Sequence, residues 1–277
     1  MTLVCDPRAG GSGAASLPAE RDRFGGVLPH PEALAADPGD FARQLGAAMD
    51  QWRQEGLRLV WLQVPITRAA LVPVAVAAGF RYHHAADDYV MMTCRLVASA
   101  FIPAHASHYI GAGGVVLTPA DELLVVAEKY HGAAGQPLRF KLPGGALHAG
   151  EHLVDGVMRE VAEETGVLTQ FEALLCFRHW HGYRFGKSDI YFICRLRPLT
   201  RDIVVQEDEI AACRWMPVQD YLADPLVSAF NRQVVQVALT HVGVVPVTVD
   251  GYGDAARYEF FMPPAIDPAV AAATGTG

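Results

Sequence analysis

The side chains best placed to do chemistry are three glutamates, Glu160, Glu163 and Glu164. In a helix, positions i, i+3 and i+4 lie on neighbouring parts of one surface, so these carboxylates would stand close together. A solvated acidic helix face is the ordinary interpretation of such a run. Here Arg159 directly precedes the run and glycines flank it. We therefore favour a site for a hard divalent cation, Mg²⁺ or Mn²⁺, with Arg159 holding one glutamate in position.

The glutamates belong to a longer motif, GALHAGEHLVDGVMREVAEETGV, between Gly145 and Val167. It fits the pattern G-x5-E-x7-R-E-U-x-E-E-x-G-U, where U is an aliphatic residue, at every fixed position. We expect a helix over 152–165, with Glu151 favouring its positive N-terminus after Gly150 and with Gly166 as its left-handed end. Its buried stripe is expected to consist of Leu153, Val157 and Val161.

This segment, together with the preceding FKLPGG (140–145), resembles the Nudix box, and the chain is similar to Nudix hydrolases. The resemblance implies hydrolysis of a nucleoside diphosphate linked to another moiety, with Mg²⁺ or Mn²⁺ as cofactor. It implies metal ligation by Glu160, Glu164 and the backbone carbonyl of Gly145. Glu163 would bind a further metal ion or orient water, and Arg159 and Glu151 would support these ligands.

Four segments outside the box, 60–92, 106–114, 177–196 and 209–217, resemble a narrower Nudix branch. That branch includes plant ADP-ribose/NADH pyrophosphatases and a vertebrate protein encoded antisense to basic fibroblast growth factor. The resemblance implies an α/β fold class: a small acetyltransferase-like α/β domain, followed by a Nudix α/β/α sandwich with a mixed sheet. The Arg/Gln-x-x-Gly-x-Gly loop for acetyl-CoA is absent from the sequence, so acetyl transfer is not expected.

Attack of water on a diphosphate needs a general base or an oriented water molecule. The candidates outside the box are Glu207, Asp208 and Glu209. We favour Glu209, which matches the family's Glu-Ile position before a strand, and place Glu207 next. A plain acidic loop is the alternative interpretation.

The segment FRHWHGYRFGKSD (177–189) sets cations among aromatic side chains. Cations bind phosphate and aromatic rings stack on bases. The predicted substrate-binding residues are Arg178, Arg184, Phe185 and Lys187. An exposed hairpin with ordinary charges is the alternative.

The length of 277 residues suggests one or two domains. Helical and strand patterns divide the chain into a flexible leader (1–20), a small α/β domain (21–100), a Nudix domain (101–245) and a C-terminal hairpin with a frayed tail (246–277). Near the start of the second domain, residues 115–117 and 123–126 alternate about TPADE and predict a β-hairpin.

The formal net charge of −8 argues against a duplex nucleic-acid partner. No apolar run approaches the roughly 18 residues of a membrane span, so no membrane partner is expected. Five widely spaced cysteines without a CxxC pair indicate a reducing intracellular compartment, and we expect a cytoplasmic location. A leader that acts as an organelle transit peptide is the alternative. The apolar content of the first domain is compatible with a homodimer.

The sequence thus predicts an enzyme whose partner is a nucleoside-diphosphate-type small molecule. The favoured substrates are ADP-ribose and NADH, with release of AMP. Coenzyme A and dinucleoside polyphosphates are alternative substrates. A non-catalytic, nucleotide-binding regulatory protein is the alternative function.

Overall fold

The computed structural model describes residues 17–129 and 137–265, and the chain divides into two compact units between Ala106 and Ser107. The predicted boundary lies six residues earlier. Residues 1–16 of the predicted leader and 266–277 of the predicted tail lie outside the described residues. Residues 17–20 differ from the prediction, because Leu17 is buried in the core of the first unit and a strand begins at Ala19.

The first unit is built on a five-stranded mixed sheet in the order β1-β2-β3-β5-β4. Only β2 and β3 pair in parallel. Apolar residues of the first helix, including Phe41, Leu45 and Trp52, share one core with strand residues such as Leu62. The elements are β1 (Ala19–Arg21), β2 (Gly26–Pro29), α1 (Pro38–Gln54), β3 (Leu59–Pro65), α2 (Val72–Ala77), β4 (Arg81–Ala85) and β5 (Tyr89–Arg95).

The second unit contains three sheets, in the orders β8-β6-β10-β9, β11-β7 and β12-β13. In the largest, β6 and β10 run parallel and the outer pairs are antiparallel. The elements are β6 (His108–Val116), β7 (Glu122–Glu128), β8 (Gly144–Ala146), α3 (Leu153–Thr165), β9 (Thr169–Trp180), β10 (Ser188–Pro198), β11 (Ile210–Pro217), α4 (Val218–Ala223), α5 (Ala229–Thr240), β12 (Val245–Val247) and β13 (Phe260–Met262).

Two apolar cores lie in the second unit, because successive strand residues point to opposite faces. One contains Ala112 and Leu196 together with Val157 and Val161 of α3. The other contains Val115 and Ile193 together with Val234 and Val235 of α5. The mixed α/β architecture predicted from the sequence is confirmed.

The predicted hairpin about TPADE forms only at its turn. Leu117 and Leu123 pair in antiparallel fashion, and Thr118 Oγ1 accepts hydrogen bonds from the amides of Ala120 and Glu122. Beyond the turn, β6 continues in the four-stranded sheet, whereas β7 pairs with β11. Residues 123–127 are all buried, so both faces of β7 are covered, which the alternating pattern does not predict.

A 3-10 turn (Ile66–Leu71) directly precedes α2, and residues 224–228 separate α4 from α5. The sequence interpretation missed β1 and β2, which are short. None of the helices in the described ranges is both long and apolar enough to cross a membrane.

Candidate active site

Two glycines shape the chain just before the glutamate helix. Gly144 has a φ of +144°, and a Cβ atom there would lie 2.2 Å from the carbonyl oxygen of Ala112. A Cβ on Gly145 would lie 2.4 Å from Oε2 of Glu160. The backbone of β8 therefore approaches both β6 and the glutamates at distances that only glycine permits.

Helix α3 carries the glutamates and ends at Gly166, whose φ of +73° is left-handed as predicted. The predicted buried stripe of Leu153, Val157 and Val161 is confirmed. The predicted role of Glu151 at the N-terminus of the helix is wrong. The N-cap residue is His152, and the Glu151 carboxylate accepts a hydrogen bond from Arg159. The first helical amides instead bond to Glu259, a residue that the sequence interpretation missed.

Arg159 connects three of the motif's four glutamates. Its Nε and Nη2 atoms donate to Glu151 at 2.7 and 2.9 Å, and its Nη1 donates to Glu160 at 3.0 Å and to Glu163 at 2.8 Å. These charge-assisted bonds hold the pKa of Glu151 down at about 2. The pKa of Arg159 is raised by the same contacts. Arg159 therefore fixes the positions of Glu160 and Glu163, while Glu163 remains largely exposed.

Glu164 is the most enclosed of the three helical glutamates, with 7 % of its surface exposed. Its Oε2 atom accepts a hydrogen bond from the Gly144 amide at 2.8 Å. Burial raises the pKa of Glu164 to about 7, and burial also raises the pKa of Glu160. Two carboxylates that are costly to ionise therefore stand one helical turn apart, beside Gly145.

The donor set suits a hard divalent cation. As they stand, no three His, Cys, Asp or Glu side chains in the described ranges are arranged to hold a metal ion. Two carboxylates, with a backbone carbonyl at Gly145, match the way Mg²⁺ is commonly bound, since it takes one or two protein carboxylates together with substrate phosphates and water. The raised pKa values of Glu160 and Glu164 fit this use, because a nearby cation would favour their charged forms.

Three residues near Glu164 were not among the predicted site residues. Lys141 forms an ion pair with Glu128; the lysine opposes the rise in the Glu164 pKa, and Glu128 adds to it. The hydroxyl of Tyr191 would lie 2.8 Å from a Cβ on Gly144, and burial and the nearby glutamates raise its pKa. Lys141 lies within the FKLPGG segment, so its position was a usable signal. Glu128 and Tyr191 look like ordinary strand residues in the sequence.

The acidic loop before β11 lies against the end of α3. The Val204 amide donates to Thr165 O at 2.9 Å, and Glu209 O accepts from the Lys129 amide at 2.8 Å. The predicted base candidates Glu207, Asp208 and Glu209 are all exposed. Among the described residues, no hydrogen bond joins these three side chains to Glu160 or Glu164.

The four predicted substrate residues occupy two settings. Arg178 forms an ion pair of 2.6 Å with the buried Asp189, and its guanidinium lies 5.4 Å from the Tyr191 ring. Its charge is therefore already balanced by Asp189, although Tyr191 connects it to the glutamate region. The other three, Arg184, Phe185 and Lys187, lie in the loop between β9 and β10.

In that loop, the Arg184 guanidinium lies 5.1 Å from the Tyr183 ring and Lys187 Nζ lies 5.2 Å from the Tyr109 ring. Phe185 is 91 % exposed and has a φ of +51°. The described contacts do not bring these three side chains to the glutamates.

Two family descriptions match the chain: "Nudix hydrolase domain" over residues 17–96 and "NUDIX domain" over residues 108–237. Nudix hydrolase 8 of Arabidopsis thaliana is 40% identical over 232 residues, which are 81% of this chain and 63% of that protein. Nudix hydrolase 2 of Arabidopsis thaliana is 40% identical and is covered over 77% of its length by 78% of this chain. Human "Nucleoside diphosphate-linked moiety X motif 6" is 34% identical, over 82% of this chain and 73% of that protein.

The chain thus spans less than two thirds of the first of these relatives and about three quarters of the other two. The similarity includes the whole glutamate motif, and the matched NUDIX domain contains Glu160, Glu164 and Arg159. The chain belongs to the Nudix hydrolase family, pyrophosphohydrolases that act on nucleoside diphosphates linked to another moiety and generally use divalent metal ions.

Proposed function

We propose that this protein hydrolyses ADP-ribose or NADH in the presence of Mg²⁺ or Mn²⁺ and releases AMP. The observation that carries the proposal is the enclosed pair of carboxylates, Glu160 and Glu164, beside Gly144 and Gly145. Such a pair is poorly explained as a solvated helix face, since burial raises the pKa of both groups.

Each residue of the site has a distinct task in this proposal. Glu160, Glu164 and the carbonyl of Gly145 hold the cation, which supplies charge neutralisation at the diphosphate and activation of water. Arg159, fixed by Glu151, keeps Glu160 and Glu163 in place. Glu163 is exposed and bonds to Arg159 through Oε2, which leaves Oε1 to orient water or to contribute to a further cation. Glu209 accepts a proton from the attacking water in the favoured assignment.

The loop between β9 and β10 supports a nucleotide substrate. Arg184 and Lys187 offer positive charge near tyrosine rings, and Phe185 is exposed for stacking. The Arg178 guanidinium contacts the ring of Tyr191, which lies beside the glutamates. In this proposal Arg178 binds the phosphate groups of the substrate. The preference for ADP-ribose and NADH follows from the resemblance to the plant branch.

For the first unit we propose an acetyltransferase-like fold without acetyl transfer. A five-stranded mixed sheet with α1 packed on it supports this assignment. Binding of acetyl-CoA to the full chain, measured by calorimetry, would contradict the second half of the proposal.

A non-catalytic nucleotide-binding role is the second candidate. One observation favours it: Arg159 already neutralises carboxylates of Glu160 and Glu163, and no three acidic, histidine or cysteine side chains of the described part stand ready for a metal ion. In that role the site binds a nucleotide without hydrolysing it.

A substrate panel separates these candidates. The full chain is incubated with Mg²⁺ or Mn²⁺ and with ADP-ribose, NADH, NAD, coenzyme A, FAD or diadenosine polyphosphates, and AMP release is measured. We expect the highest kcat/KM for ADP-ribose or NADH. Higher kcat/KM for coenzyme A or a dinucleoside polyphosphate would reassign the substrate. Tight binding without any hydrolysis would favour the non-catalytic role.

A further inference from the structure

Helix α3 has no side-chain cap of its own. Its N-cap residue, His152, makes no capping hydrogen bond with its side chain. The amides of Leu153 and Val154 donate instead to Oε2 and Oε1 of Glu259, at 2.8 and 3.1 Å. A carboxylate 106 residues away in sequence from Leu153 thus satisfies two helix-end amides that would otherwise lack partners.

Glu259 belongs to a C-terminal segment, residues 243–262, that is fastened at several points. Val244 exchanges two backbone hydrogen bonds with Leu174 of β9, at 2.8 and 2.9 Å. Strands β12 and β13 pair with each other, and the rings of Phe261 and Phe171 lie 5.8 Å apart. This segment lies beyond residue 237, where the match to the NUDIX domain ends.

The segment also reaches the N-cap residue directly. Nε2 of His152 lies 2.8 Å from the carbonyl oxygen of Ala255. The side chain of Glu259 is only 21 % exposed, so its charge faces the helix end from a partly buried position. A carboxylate at this end also interacts favourably with the helix dipole.

We infer that Glu259 is a positioning residue for hydrolysis, which holds α3 at its N-terminus so that Glu160 and Glu164 stay aligned with Gly145. This inference rests on the proposed function. The helix is short, 13 residues, and its glutamates lie in its last two turns. A small displacement of the helix therefore moves both carboxylates relative to β8, and displacements of about 1 Å lower rates markedly.

The test compares Glu259→Ala and Glu259→Gln with wild type by amide hydrogen exchange and by kinetics. We expect exchange at Leu153 and Val154 to become about fivefold faster in Glu259→Ala, the usual effect of losing a cap. We expect kcat to fall and the Mg²⁺ concentration for half-maximal activity to rise, with an intermediate effect in Glu259→Gln. Glu122→Gln is the control, because Glu122 is a carboxylate of the same unit that pairs with Arg201.

A second substitution separates capping from mere loss of packing. His152→Ser supplies a local N-cap, which we expect to restore slow exchange and most of kcat in the Glu259→Ala background. Unchanged exchange at Leu153 and Val154 in Glu259→Ala would overturn the inference, as would a lower melting temperature with unchanged kcat and Mg²⁺ requirement. The exchange measurement needs no substrate, so inactivity of wild type on the whole panel would contradict the proposed function alone.

Discussion

Arg159 donates two parallel hydrogen bonds to Glu151, from Nε to Oε1 at 2.7 Å and from Nη2 to Oε2 at 2.9 Å. This geometry fixes the plane of the guanidinium and leaves Nη1 to reach Glu160 and Glu163. Glu151 therefore acts on the other glutamates through the arginine. A single positive charge without the planar fork cannot reproduce this arrangement.

We expect Arg159→Lys to lower kcat about ten- to a hundredfold while the chain still folds, since the partners of metal-binding residues usually matter to that extent. The lysine retains a positive charge near Glu151 but cannot orient two further carboxylates. Steady-state kinetics with varied Mg²⁺ measure the effect. Arg201→Lys is the matched control, because Arg201 pairs with Glu122 at the start of β7 and lies over the Trp215 ring, and neither contact includes a glutamate of the site. Equal kcat in wild type and Arg159→Lys would show that the fork is dispensable.

Glu164→Gln should abolish turnover and leave the fold intact. The amide oxygen of glutamine can still accept the hydrogen bond from the Gly144 amide, so the contact between α3 and β8 survives. The charge that holds a cation is lost. Product formation measured over long incubations, with circular dichroism as the folding check, tests this expectation. Wild-type-like hydrolysis by the variant would remove Glu164 from the mechanism.

The pKa of Glu164 predicts an unusual pH dependence of stability. Its value of about 7 in the folded protein lies above the ordinary value of 4.5, because of burial. The group therefore contributes stability that is fully present below pH 4.5 and is lost as the pH rises through 7. We expect the metal-free wild type to lose stability relative to Glu164→Gln across this window, by at most about 3 kcal/mol.

Urea unfolding at pH 5 and pH 8 in the presence of a chelator measures this difference. Added Mg²⁺ should restore stability at pH 8 in wild type and not in Glu164→Gln, because the cation binds the ionised carboxylate. A difference between the two proteins that does not change with pH would contradict the assigned pKa.

The glutamate motif shows which features of the site can be predicted from local sequence. The buried stripe and the left-handed Gly166 follow from spacing within one helix, and the structure has both. The i, i+4 interval also places Arg159 next to Glu163, as found. These features depend on residues within about two helical turns, so helical geometry alone determines them.

Contacts between residues that are far apart in the chain could not be predicted from local spacing. The cap that Glu259 supplies to Leu153 depends on a segment 106 residues later, and no local pattern marks that glutamate. The ion pair of Lys141 and Glu128 depends on the pairing of Val126 with Lys141. Such contacts require the tertiary arrangement of sheets, which a single sequence does not specify.

The two glycines before α3 should respond differently to alanine. In Gly145→Ala the new Cβ meets the end of the flexible Glu160 side chain, which can move away, so we expect a folded protein with kcat reduced about a hundredfold. In Gly144→Ala the Cβ meets the backbone of Ala112 and Gly113 at 2.2 and 2.5 Å. The backbone cannot move as readily, so we expect a severe loss of stability.

Melting temperature and kcat together test this pair of variants. The expected pattern is a near-normal melting temperature with low activity for Gly145→Ala, and a strongly lowered melting temperature for Gly144→Ala. A lower melting temperature for Gly145→Ala than for Gly144→Ala would contradict this explanation. It would mean that contact with the Glu160 side chain is not the main reason why position 145 requires glycine.

The acidic loop before β11 supplies the last prediction. If Glu209 is the general base, Glu209→Gln should lower kcat by about 10²- to 10⁴-fold, with little change in the Mg²⁺ requirement, because the group handles a proton rather than the cation. Glu207→Gln and Asp208→Asn are matched controls in the same exposed turn, and they should change kcat little. All three variants retain the backbone bond from the Lys129 amide to Glu209 O, so the loop stays in place. A large effect confined to Glu207→Gln would move the base to that residue, and small effects in all three would make this loop an ordinary acidic surface.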